Sequence, residues 1–91
     1  MLYVIIGHDG PRAGELRPKL RQSHLEHLGA YAERGKIHLA GPFTDGHGSL
    51  IIVEVDSEAE ASSMAATDPY NTGGVFERVE VHPFKQVLPA P

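Results

Sequence analysis

There is no cysteine anywhere in the 91 residues, which excludes a disulfide scaffold, a cysteine-based zinc site and a thiol nucleophile together. Basic residues are the minority. Lys+Arg number 8 against 12 Asp+Glu, a formal net charge of −4, which argues against non-specific binding to nucleic acid or to an anionic membrane. Apolar runs stop at about five residues, far short of the ~18 that a membrane span needs. The start, Met1-Leu2-Tyr3-Val4-Ile5-Ile6, has neither a basic region nor a long apolar segment, so no signal peptide is expected. A soluble, cytoplasmic protein is the expectation. No repeat, low-complexity tract or linker divides the chain, and residues 1–91 read as a single domain. With 41% hydrophobic and 22% charged residues the composition is that of a folded globule. A domain this small hides only ~60–65% of its surface on folding, so a buried contact with a second copy would help it. Six histidines are the one compositional oddity.

Leu2–Ile6 is β-rich and is broken by Gly7-His8-Asp9-Gly10-Pro11. From about Leu16 to Arg34 the spacing turns helical, with Leu20, Leu28, Tyr31 and Ala32 on one side and Gly35 as the stop. Pro18 is tolerated only near a helix start, so the first firm turn is expected at residues 17–19. Ile37–Ala40 reads as a strand cut by Gly41-Pro42, and Thr44–Ser49 as a hairpin connection with Asp-Gly turn chemistry. It leads into Leu50–Val55. Ser57 and Glu60 fit a capping box for a second helix that runs to about Thr67 and stops at Asp68-Pro69. Its small residues Ala59, Ser62, Ser63 and Ala66 are expected to pack on the sheet. A last strand covers Val75 to about His82.

The order βαββαβ in so short a domain specifies a ferredoxin-like α+β plait, a four-stranded antiparallel sheet with two helices on one face. Its strand order, 4-1-3-2, puts strands one and three in the centre. Those are the unbroken apolar runs, Leu2–Ile6 and Leu50–Val53, whereas strand four alternates. An unbroken run implies cover on both faces, and the helices supply only one. A second copy packed sheet to sheet, a homodimer, is the simplest cover.

This topology gathers Gly7–Pro11, the start of helix one, the Thr44–Ser49 hairpin and Asp68 at one edge. His24 falls in the series Leu16, Leu20, His24, Leu28, at an inward position where the pattern asks for leucine. Asp9 and Asp68 are both placed to approach it. A histidine oriented by a carboxylate is the usual apparatus of a general acid/base. A half-buried histidine that only satisfies a hydrogen bond has the same phase. Asp68 before Pro69 is also ordinary turn punctuation. Arg21, one turn before His24, is placed to hold an anionic group. The His24/His27 pair lacks a third ligand, so no metal is expected. His8, His38, His47 and His82 are assigned no role, and Gly73-Gly74 fits no phosphate-loop pattern.

The segments Tyr3–Ile6 with Asp9 and Pro11, Arg21-Gln22-Ser23-His24-Leu25, Gly35 with Ala40-Gly41-Pro42, Asp68-Pro69-Tyr70 with Gly74-Val75-Phe76, and Val81-His82-Pro83-Phe84-Lys85 form an ordered set. In this the chain resembles the YciI-like (YCII-related) family of small proteins, dimeric α+β barrels built from ferredoxin-like subunits. The resemblance implies an active site with a His–Asp dyad, His24 mapping onto the family histidine and Asp68 onto the aspartate of its Asp-Pro-aromatic motif. Arg21 and the Ala40-Gly41-Pro42 turn also match. One branch of the family is a lyase that removes chloride from a chlorinated hydroxyquinol. Similar barrels serve as isomerases, oxygenases and plain binders, so fold alone does not choose.

The expected function is that of a lyase or isomerase acting on a small, aromatic or hydroxylated metabolite without a cofactor. His24 and Asp68 are the catalytic candidates; Arg21, Tyr70, Asp9, Gly41 and Pro42 are the substrate-binding ones. The alternative is a non-catalytic binding or accessory module. The acidic balance and the lack of a basic aromatic strand face disfavour RNA.

Overall fold

The computed structural model describes residues 1–91. The elements are β1 (Leu2–Asp9), α1 (Ala13–Glu33), β2 (Ile37–Pro42), β3 (Gly48–Glu54), α2 (Glu58–Thr67), α3 (Pro69–Thr72) and β4 (Phe76–Phe84). They form a ferredoxin-like α+β fold. Its four-stranded sheet has the order β2-β3-β1-β4, antiparallel throughout, with the helices on one face. Strands one and three are central, as the apolar runs require.

Burial along β1 alternates even though the sequence does not. Tyr3 and Ile5 point under the helices, while Leu2, Val4 and Ile6 lie on the other face and are only partly covered. β3 behaves alike, with Ile51 and Val53 inward and Leu50 and Ile52 outward. One main core joins Tyr3, Ile5, Leu28, Ile51, Val53, Val55, Ala61, Met64 and Ala65. A smaller cluster joins Ala13, Tyr70, Val75 and Phe76. Leu20 packs against the small cluster and Leu28 belongs to the main one, so His24, one turn from each, sits at the seam between them.

Three local readings need correction. First, α1 begins at Ala13 rather than at residues 17–19, so Pro18 lies inside the helix. The early start is held by Ala13, which is buried against the small cluster, and by its amide bond to Gly10 O at 3.1 Å. Second, Ala59, Ser62, Ser63 and Ala66 face outward, and Ala61, Met64 and Ala65 carry the packing. The bulkier Met64 sets the helix phase, and the same phase turns Asp68 inward. Third, β1 is not broken at Gly7 but runs to Asp9, because Gly7 and His8 pair with strands on both sides, and β2 is not cut by Gly41-Pro42 but includes them, since an edge strand tolerates proline. Past the Asp68-Pro69 stop, Pro69–Thr72 form a separate turn of helix with Asp68 as its N-cap.

The other signals read correctly. Ser57 Oγ accepts the Glu60 amide at 3.2 Å, although the Glu60 carboxylate turns to the Asp56 amide and to Lys36. Gly35, at φ +72°, ends α1 in the left-handed region that favours glycine. Gly48, at φ +152°, lets the hairpin press onto β1, since a Cβ there would lie 1.9 Å from the Gly7 carbonyl oxygen. No helix is long and apolar enough to cross a membrane.

Candidate active site

Between α1 and the β2–β3 edge of the sheet lies a cleft of about 200 Å³. One wall is a stripe of α1: Arg17, Arg21, His24, Leu25 and Leu28, spaced so that they share a face. Ala40, Gly41 and Pro42 of β2 form the other wall, and Ser49, Ile51 and Tyr70 complete it. The cleft is smaller than the ~300–1,000 Å³ usual for drug-sized ligands and suits a molecule of about one ring.

His24 is 8% exposed and Asp68 2%. The His24 Nδ1–H donates to Asp68 Oδ1 at 2.7 Å, with Oδ2 at 3.0 Å. Donation from Nδ1 leaves Nε2 as the lone-pair nitrogen of the neutral ring. Nε2 has no protein partner, and no buried side-chain polar atom lacks one, so this nitrogen opens to the cleft. Tyr70 stacks on the imidazole, centroids 3.8 Å apart and planes within 2°, and Phe76 meets Tyr70 edge-on at 5.7 Å. The imidazole is therefore fixed in plane by one carboxylate and in tilt by one phenol ring.

Asp68 has a second duty. Its Oδ1 also accepts the Tyr70 amide at 2.9 Å, which caps α3. The turn-punctuation role and the histidine-orienting role belong to the same side chain.

The choice between two carboxylates is thus resolved by position. Asp9 lies away from His24 and grips Arg17 instead, Nε to Oδ2 at 2.9 Å and Nη2 to Oδ1 at 2.8 Å. That hydrogen bonding holds the Arg17 guanidinium above its already high ordinary value, with burial acting in the opposite direction. Arg17 Nη2 also donates to Ser49 Oγ at 2.9 Å, and its guanidinium lies 5.1 Å from the Tyr70 ring centre. Arg21, in contrast, is exposed at the cleft mouth with no ion-pair partner.

Arg17 and Ser49 are the polar lining residues that sequence reasoning missed. Arg17 had a usable signal, since it stands seven residues before His24 and so shares its helix face. Ser49 had none beyond its place after a turn. His27, paired with His24 on paper, donates Nε2–H to the Met64 carbonyl at 2.9 Å and is turned to α2. His8 and His82 flank Glu80, and their hydrogen bonds hold the Glu80 carboxyl below its ordinary range. A larger groove of about 790 Å³ lies at the opposite end of the sheet, around Met1, His38, Glu54 and Phe84. It holds no histidine with a carboxylate partner.

Burial pushes the Tyr70 phenol above its usual value, opposed in part by the Arg17 and Arg21 charges. A phenol in the unfolded chain ionises near ~10, so the stability tied to neutral Tyr70 is whole below ~10 and is lost as pH rises through the folded value. Urea titrations at about pH 9 and about pH 11 should therefore show the wild type losing more stability over that interval than Tyr70→Phe. Equal losses would mean that the phenol is not desolvated.

Fold and cleft together define a class: small ferredoxin-like α+β proteins with a His–Asp pair at the helix-lined edge of the sheet. Sequence comparison narrows this. The YCII-related domain matches residues 1–85, and the chain belongs to that family. The protein YciI of Escherichia coli O6:H1 is 37% identical over 98 residues, spanning 97% of this chain and 100% of its own. An uncharacterized protein of Haemophilus influenzae is 34% identical over 101 residues, with 97% and 100% covered. Among solved structures, the 5-chloro-2-hydroxyhydroquinone dehydrochlorinase of Burkholderia phenoliruptrix, in complex with 2,5-dihydroxybenzoquinone, superposes with a TM-score of 0.84. It is 28% identical, with 94% of this chain and 95% of that chain covered.

Proposed function

We propose that the protein is a small-molecule enzyme of lyase or isomerase type, in which His24 Nε2 takes and returns a proton and Asp68 supports the imidazolium that forms. One observation carries this reading: a buried imidazole whose Nδ1 is held by a carboxylate and whose Nε2 opens to a ring-sized cleft. Proton transfer of this kind is chemistry that histidine performs without a cofactor. Arg21 at the mouth supplies an unpaired positive charge for an anionic substrate, with Gly41 and Pro42 as the facing wall. Tyr70 serves through its stack on His24, and Asp9 through Arg17. The substrate class is a small hydroxylated ring, in keeping with the dehydrochlorinase likeness. A cytoplasmic setting is part of the reading.

The test is direct. Purified protein is offered 5-chloro-2-hydroxyhydroquinone and non-chlorinated hydroxyquinols, and chloride release and exchange of ring hydrogen with deuterated water are followed. Turnover in either assay supports the enzyme. Saturable binding of 2,5-dihydroxybenzoquinone with no chemical change over hours would replace it with the binding-module reading.

The reading includes a homodimer through the open sheet face. Leu2, Val4, Ile6, Leu50 and Ile52 form a contiguous apolar strip there, and Leu39 beside it is 54% exposed. Sedimentation at micromolar concentration should return about twice the chain mass, and Ile52→Glu should return the monomer. A monomeric wild type would remove this part of the proposal.

A further inference from the structure

Ser49 is 4% exposed and lines the cleft. A serine hydroxyl has one proton to donate and two lone pairs. Here one lone pair is taken by Arg17 Nη2 at 2.9 Å, and the hydroxyl proton has no acceptor in the chain. The direction of that bond is fixed by what stands behind it. Asp9 grips Nε and one hydrogen of Nη2, so the other Nη2 hydrogen is aimed at Ser49, and a guanidinium cannot accept in return. Arg17, anchored by its two bonds to the Asp9 carboxylate, thus donates to Ser49 Oγ and leaves a polarised O–H in the cleft that His24 Nε2 also faces. The interior of the cleft therefore offers an unpaired acceptor, the imidazole nitrogen, and an unpaired donor, the serine hydroxyl, with the unpaired Arg21 guanidinium at the mouth.

We propose that Ser49 is an oxyanion-binding residue, with Arg17 as its positioning residue, and that the cleft selects small planar molecules bearing an ionised oxygen, a phenolate or an enolate. The inference rests on the proposed function for its chemistry, because removal of a proton by His24 puts negative charge on such an oxygen. Donors fixed before the reaction and shielded from water are most effective where charge develops. The balance is simple: the substrate loses a proton to Nε2, the electron pair moves onto the oxygen, and Ser49 donates a hydrogen bond to that oxygen without losing its own proton.

The test needs no turnover. 4-Nitrophenol is titrated into the protein near neutral pH, and the phenolate absorbance near 400 nm gives both affinity and the ionised fraction when bound. The wild type should bind the probe with a larger ionised fraction than in free solution. Ser49→Ala should weaken phenolate binding by about 10–100-fold, as for loss of a hydrogen bond to a charged group. Nitrobenzene, which lacks the oxygen, should bind both forms equally, and Ser49→Thr should restore the absorbance signature. Wild type that fails to bind, or binds the phenol un-ionised, overturns the proposal, as does Ser49→Ala with unchanged phenolate affinity. The two readings fail separately. A bound phenolate lost in Ser49→Ala, with no turnover of any substrate, keeps the oxyanion site and removes the enzyme. Turnover that survives Ser49→Ala unchanged does the reverse.

Discussion

Replacing His24 with asparagine should lower turnover by about 10²–10⁴-fold, the usual contribution of a positioned general base, and leave the protein folded. Asparagine is the informative choice because its amide nitrogen falls near the position of Nδ1. It keeps a donor for Asp68, whose bond from Nδ1 is 2.7 Å long, and deletes only the nitrogen that faces the cleft. The loss of the ring stack on Tyr70 costs about 0.5–1.5 kcal/mol. For a domain of this size that is a fall in Tm of about 2–12 °C. His24→Phe makes the opposite change: the stack stays, the donor goes, and the buried carboxylate keeps only the Tyr70 amide, a loss of about 1–3 kcal/mol. Activity that persists in His24→Asn would mean that the histidine is a structural residue.

The second large effect is expected at Asp68. Its alanine variant orphans two donors at once, the His24 Nδ1–H and the Tyr70 amide. A lost cap contributes about 1 kcal/mol and a buried unsatisfied donor about 1–3 kcal/mol, so Tm should fall by roughly 8–32 °C. Asp68→Asn retains the Oδ1 that both donors reach and should recover most of that stability. The negative charge behind the imidazole is gone, however, and turnover should stay down by about 10²-fold or more. Thermal scans and kcat on the two variants separate the structural from the electrostatic part. Asp9→Asn should lose less turnover than Asp68→Asn, because its charge acts on Arg17 and not on His24. The reverse order would break the assignment.

Much of this was written in the chain. The β-rich runs, the Asp45-Gly46 hairpin, the Ser57 cap and the Gly35 stop are local signals, and the structure has each of them, with β1 and β2 running on past the glycines read as their ends. His24 was conspicuous because a polar residue replaced leucine in a regular series. What failed were choices that only tertiary packing makes. Small residues run along two sides of α2, and which side faces the sheet is decided by Met64 and by the turn at Asp68. Pro18 argued for a late start of α1, but Ala13 buried beneath Tyr70 and Phe76 outweighs one missing backbone bond. Ser49 and Arg17 meet through a contact 32 residues apart in sequence, and nothing in either residue's neighbours announces it.

The double use of Asp68 Oδ1 couples two things that are separate in most sites. The oxygen that orients the catalytic candidate is the oxygen that closes the first turn of α3. A local opening that frays this turn frees the Tyr70 amide and unlatches the imidazole in the same event. The stacked phenol ring leaves with it, because Tyr70 is both the capped residue and the stacking partner. Solvent exchange at this one amide proton is therefore expected to keep time with the competence of the whole site, because the same oxygen closes the turn and orients the imidazole.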